Sequence, residues 1–135
     1  MNETETCTVI DLKKATVSIP ENDLVIIRIK DHQLVEKEDI YEIFQAHQEV
    51  LGQAKRYVMF VTNNSSSLSG DGRKASAEKR INEFAIAKAI VVKNLANKLI
   101  TNFFIKVDKP SSLIKTFDSE IMAMEWINEL RKKNN

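Results

Sequence analysis

The densest polar chemistry in this sequence falls in one short stretch. Ser65, Ser66, Ser67 and Ser69 stand beside Gly70 and Gly72, with Arg73 and Lys74 just beyond. The whole chain has only 3 glycines, so the pair here points to positive φ or to close backbone approach. Hydroxyls ahead of a helix N-terminus suit phosphorylation or anion capture, because orphan amides and the helix dipole favour negative charge there. Arg73 and Lys74 are then the residues to pair with a phosphate. The plainer alternative is a polar connection at the end of a strand, with serines for solubility. Gly70-Asp71-Gly72 offers a single acid, too few for a calcium or magnesium site, and no P-loop Lys-Ser/Thr pair follows.

Little else in the chain reads as chemistry. His32 and His47 are the 2 histidines; His32 sits in a turn, and His47 lies on the apolar face of a helical pattern, where a satisfied, partly buried ring is expected. No Ser-His-Asp, Cys-His or spaced metal-ligand arrangement is visible. No catalytic residue, metal or cofactor is therefore expected. Basic residues number 20 against 19 acidic, a net charge of +1. That balance lacks the basic excess that phosphate neutralisation asks for, which argues against a nucleic-acid partner. Cys7 is the single cysteine, so no intrachain disulfide is expected. No apolar run reaches the roughly 20 residues that a membrane span needs. The opening Met1-Asn2-Glu3-Thr4-Glu5 lacks the features of a signal peptide, so a cytoplasmic protein is expected.

The elements that must carry these residues follow from hydrophobic periodicity. Ala15-Thr16-Val17-Ser18-Ile19 alternates as a half-buried strand. Pro20 to Asp23 reads as a turn, and Leu24 to Ile29 as the second arm of an antiparallel hairpin. Ile40, Ile43, Phe44, His47 and Leu51 fall at helical spacing, with acid in the first turn and Gly52 at the end. Tyr57 to Val61 and Ala89 to Val92 are continuous apolar runs, as in strands covered on both faces. A helix is expected from about Ser76 to Phe84, and another after an Asn94 cap, carrying Leu95, Leu99, Ile100 and Phe103. Asp108 to Ser112 breaks it. Lys115-Thr116-Phe117 is a short edge strand, and Asp118 or Ser119 caps a last helix that buries Ala123, Trp126, Ile127 and Leu130. The order β-β-α-β-α-β-α-β-α implies an α/β fold. Its mixed five-stranded sheet opens with an antiparallel hairpin, its later strands run parallel, and its helices pack mainly on one face. Residues 1–14 are expected to be loosely ordered, ahead of a single domain over 15–133.

This order, with these residues, resembles the STAS domain and the SpoIIAA-like fold group, and most of all its small stand-alone bacterial members. Ala15 to Phe44 is similar to the family's opening, and Ala89-Ile90-Val91-Val92 with Asn94-Leu95-Ala96 to its fourth strand and third helix. Lys115-Thr116-Phe117-Asp118, Ala123 and Glu125-Trp126-Ile127 resemble its closing pattern. Anti-sigma-factor antagonists of the family carry Asp-Ser-Ser-Gly, with a phosphorylated serine, after the third strand. Here the region reads Thr62-Asn63-Asn64-Ser65-Ser66-Ser67-Leu68-Ser69-Gly70, with asparagine in place of the acid and a different spacing.

The resemblance implies a non-enzymatic regulatory or protein-interaction module with a protein partner, working through the 62–76 loop and the helix after it. A homodimer is expected as well, because adjacent Phe103 and Phe104 cannot share one helix face. The alternative is a small-ligand protein that binds a lipid-like or nucleotide-like molecule between sheet and helices, with Phe103, Phe104 and Trp126 as candidate lining. A cavity above roughly 300 Å³ favours this alternative, and a filled core with a mobile serine loop favours the module.

Overall fold

In Ala15–Glu21 every second residue through Ile19 is buried, so one face of this strand meets a core, as its alternation predicts. The computed structural model describes residues 7–108 and 113–134 of the chain. Thr8–Asp11 forms β1, Ala15–Glu21 β2 and Leu24–Ile29 β3; Leu34–Val35 forms β4 and Lys37–Leu51 α1. Arg56–Val61 is β5, Ser67–Leu68 β6, Gly70–Ser76 α2, Lys79–Asn82 α3 and Ala85–Val91 β7. Leu95–Asp108 is α4, Leu113–Phe117 β8 and Glu120–Lys133 α5. Among these helices none is long and apolar enough to cross a membrane.

The main sheet has six strands in the order β1-β2-β3-β5-β7-β8. β1, β2 and β3 pair antiparallel, whereas β3, β5, β7 and β8 pair parallel. The expected mixed sheet is thus present, with one strand more. β1 arises inside the segment expected to be loose, setting Val9 opposite Ser18, and Ile10 and Leu12 pack against the core. The hairpin turn is tighter than Pro20 to Asp23, because Pro20 remains in β2. The register slips between Ser18 and Glu21, which accommodates a residue with no N–H to give the ladder.

Alternation along the central strands builds two cores. Val25 and Ile27 of β3 and Val58 of β5 join Val17, Ile40, Ile43 and Ile81 on one face. Tyr57, Met59, Ala87, Ala89 and Val91 face the other way, where Ala123 and Ile127 of α5 cover them. Among the described residues α5 is the helix that packs on that side; Arg131 near its end holds the β2–β3 turn through Asp23, at 2.7 and 3.1 Å. Trp126 is half-buried against Phe117 rather than part of the sealed core, with ring centroids 5.4 Å apart.

The helix ends follow local chemistry. Gly52 closes α1 at a φ of 57° and donates its N–H to the Gln48 carbonyl. Asn94 Oδ1 accepts from Asn97 N, and Ser119 Oγ from Met122 N, so both expected caps are made. The helix expected over 76–84 instead begins at Gly70 and continues as a separate turn, α3. Ser69 Oγ accepts from Gly72 N at 2.9 Å, which starts the helix there.

Leu99, expected in the core, is 61% exposed. α4 borders the pocket with Asn97, Ile100, Thr101 and Ile105, although Ile100 remains 52% exposed, and its Leu95-Leu99-Phe103 stripe faces out. Phe103 is 60% exposed. Residues 1–6 and the Phe104 side chain lie outside the described residues; of the expected break from Asp108 to Ser112, Asp108 still ends α4 and 109–112 lie outside the described residues.

Candidate functional site

On the face of the sheet beneath α1, α2 and α4 lies a pocket of about 380 Å³. Ile27 of β3, Val58 and Phe60 of β5, and Ile90 of β7 make its floor, while Ile43 and Phe44 of α1 and Ile100 and Ile105 of α4 make its walls. It reaches Ile29, Thr62 and Val92 at the carboxyl ends of parallel strands, the edge at which open α/β sheets take ligands. Phe103 and Trp126 are not part of the lining. The aliphatic strand residues are, because they lie on the face of the sheet that α1, α2 and α4 cover without filling the space beneath them.

Three cationic-type side chains are buried within this apolar wall, and sequence reasoning passed over two of them. Lys88 stands in the middle of β7, opposite Val58 of β5 and Ile114 of β8. Its Nζ donates to the Ser76 carbonyl at 3.2 Å and, among the described residues, has no carboxylate partner. Burial lowers its pKa from 10.5 to about 8. Arg56, at the start of β5, is 1% exposed. Its Nε and Nη2 donate to the Ala54 carbonyl at 2.9 and 2.8 Å, and Nη2 also donates to that of Gly52.

The third is His47 of α1, which the sequence marked as a satisfied, partly buried ring. Its Nδ1 is 2.9 Å from Arg56 Nη1. A guanidinium has no acceptor, so Nδ1 accepts and the imidazole proton resides on Nε2. Burial first, then the charges of Arg56 and Lys88, pull the His47 pKa down to about 3. The sequence signal for the pair it missed was available. Lys88 interrupts the otherwise apolar run from Ala85 to Val92, and Arg56 opens another.

The serine loop is built into the fold. Ser65 Oγ accepts from His32 N and donates to Asn63 Oδ1, at 3.0 and 2.8 Å. Ser66 Oγ accepts from Gln33 N and donates to the Lys30 carbonyl, at 2.9 and 2.6 Å. Ser67 lies in β6, which pairs with β4, and Ser69 caps α2. Ser66, Ser67 and Arg73 reach the pocket lining, whereas Lys74 is exposed on α2. Of the two glycines, Gly72 is the one that close approach requires. A Cβ there would sit 2.6 Å from the Val35 carbonyl oxygen, while one at Gly70 meets nothing within 4 Å.

No curated protein matches the chain. Among solved structures, the chain is similar to an uncharacterised protein of the DUF3478 family with a SpoIIAA-like fold from Shewanella loihica PV-4. The two share 9% identity and a TM-score of 0.55, covering 89% of this chain and 90% of the other. At that identity the likeness is one of fold, and it agrees with the SpoIIAA-like architecture expected from the sequence. Over residues 17–131 the sequence matches the family model described as a domain of unknown function, DUF7793, and the chain belongs to that family.

Proposed function

We propose that this domain binds a small apolar or amphipathic molecule in the pocket between its sheet and helices. The observation that carries this reading is the 380 Å³ space itself, lined mainly by aliphatic side chains and within the size range of ligand sites. An unfilled apolar space costs packing energy, so a ligand that fills it gains both burial and dispersion contacts. The test is uptake of a fluorescent apolar probe by delipidated protein, with Ile90→Trp as the variant that fills the floor. Stoichiometric uptake that Ile90→Trp abolishes, with the circular dichroism spectrum unchanged, is expected. Equal uptake by both proteins excludes the pocket.

A second reading is a regulatory protein-interaction module of STAS type, and the outward stripe of α4 favours it. Leu95, Leu99 and Phe103 present an apolar surface of the sort that association buries. On this reading the partner docks on α4. The serines of the 62–76 loop already spend their hydroxyls on internal hydrogen bonds at Ser65, Ser66 and Ser69.

A further inference from the structure

We propose that the ligand is an amphiphile with a carboxylate head, which pairs with the ammonium of Lys88 while its chain lies along Ile27, Val58, Phe60 and Ile90. The inference rests on the reading of the pocket as a ligand site and adds the chemistry of the head group.

The lining is one-sided in charge. Among the described residues its ionisable members are His47, Arg56, Arg73 and Lys88, with neither aspartate nor glutamate. A buried cation ordinarily sits beside an acid, since an unpaired charge in an apolar wall loses its hydration without recompense. Lys88 has one carbonyl at 3.2 Å and two further N–H donors to place. Arg56 is different, because the Gly52 and Ala54 carbonyls and His47 already engage its guanidinium. His47 is neutral, so it adds a donor on Nε2 and no charge. The pocket thus offers an anion what it lacks for a neutral ligand, namely a cation whose charge the fold has left uncompensated. A monoanionic carboxylate matches the single ammonium.

The position of Lys88 suits an amphiphile rather than a small free ion. Its strand neighbours in register are Val58 and Ile114, and both line the same pocket. A head held at Lys88 therefore places its chain on aliphatic surface at once. Sharing the pocket with Lys88 are His47 from α1, Arg56 from β5 and Arg73 from α2; among the described residues, the pocket residues of β3, β8, α3 and α4 carry no ionisable group. The Lys88 proton is thus the one that the ligand-free pocket loses in mild alkali, at about 8.

Calorimetric titration of delipidated protein with decanoate, decanol and decyl phosphate tests the assignment, in wild type and in Lys88→Met. Wild type is expected to bind decanoate at least about tenfold more tightly than decanol, a preference that fades as pH rises above about 8. Lys88→Met is expected to bind decanol as well as wild type does and to lose the preference, so retained decanol binding shows that the variant folds. Equal affinity of wild type for acid and alcohol overturns the role of Lys88 and leaves the pocket reading standing. So does a preference that survives in Lys88→Met. Tighter binding of decyl phosphate than of decanoate overturns the carboxylate head. Binding of none of the three removes the pocket reading as well.

Discussion

Arg56 Nη1 and His47 Nδ1 lie 2.9 Å apart, and both side chains are buried. The contact makes His47 a permanent acceptor, and its protonation would set two cations against each other. In the unfolded chain His47 takes a proton near its ordinary 6.5, whereas in the fold it refuses one until about 3. The unfolded state therefore binds more protons between those values. Stability that is complete above about 6.5 declines as pH falls through this window, by up to about 1.4 kcal/mol per pH unit. His47→Gln keeps an acceptor without titrating, and its stability profile should be flatter on the acid side. Coincident wild-type and variant profiles in urea melts below about pH 6 count against this account.

Lys88→Met should stabilise the ligand-free protein at neutral pH. The substitution keeps an unbranched side chain, one atom shorter, and removes an uncompensated buried charge, with an expected gain of about 1–4 kcal/mol, the scale seen when buried ion pairs give way to apolar residues. The Lys88 pKa is lowered from 10.5 to about 8, so the unfolded chain binds the extra proton between them. Wild-type stability accordingly rises as pH climbs through that interval, and the gap to Lys88→Met narrows. A lower denaturation midpoint for Lys88→Met at neutral pH would show that the ammonium is satisfied.

Ser66→Ala removes a hydroxyl that both donates and accepts, and it leaves the Lys30 carbonyl and the Gln33 N–H without that partner. A loss of about 1–3 kcal/mol is expected. Ser69→Ala deletes the α2 cap, at about 1 kcal/mol. Aspartate at Ser65, Ser66, Ser67 and Ser69 together should then lower the melting temperature. An unchanged melt, with altered partner capture, would instead place regulation in this loop.

Gly72→Ala and Gly70→Ala form a matched pair. The first drives a methyl group to 2.6 Å from a backbone oxygen of β4, which cannot swing aside, and should cost about 1–3 kcal/mol. The second meets open space and should stay within about 0.5 kcal/mol of wild type. Equal melting temperatures for the two variants would refute the close approach.

We expect the protein to self-associate through α4, with Phe103 near the centre of the contact. Leu95, Leu99 and Phe103 recur at spacings of four along an exposed face. Sedimentation velocity at high micromolar concentration should give a dimer, and Phe103→Asp a monomer. A wild-type monomer at that concentration removes the proposal.

How far the sequence carried depended on where each signal was local. The hairpin, the buried runs of β5 and β7, and the Asn94 and Ser119 caps are set by neighbouring residues, and they were legible. The face that α4 presents was not, because Leu95, Leu99 and Ile100 look alike in a helical pattern. Only the packed sheet decides that Asn97, Ile100 and Thr101 border the pocket. The start of α2 was hidden for a similar reason. Ser69 as a cap and Gly72 beside Val35 both depend on β4, a two-residue strand with no periodicity to detect. Lys88 was written plainly in its apolar run, yet its meaning came from what is missing around it in space.

The strand order has a consequence for how the chain assembles. Each new strand is added at the outer edge of those already formed, and none inserts between earlier ones. The sheet can therefore grow in the direction of synthesis, with every step offered a finished template. The face bearing Met59, Ala87, Ala89 and Val91 is the exception, since its cover is α5, the last helix to emerge. Until then that apolar surface stands open to other chains, and it is where aggregation during biosynthesis would begin.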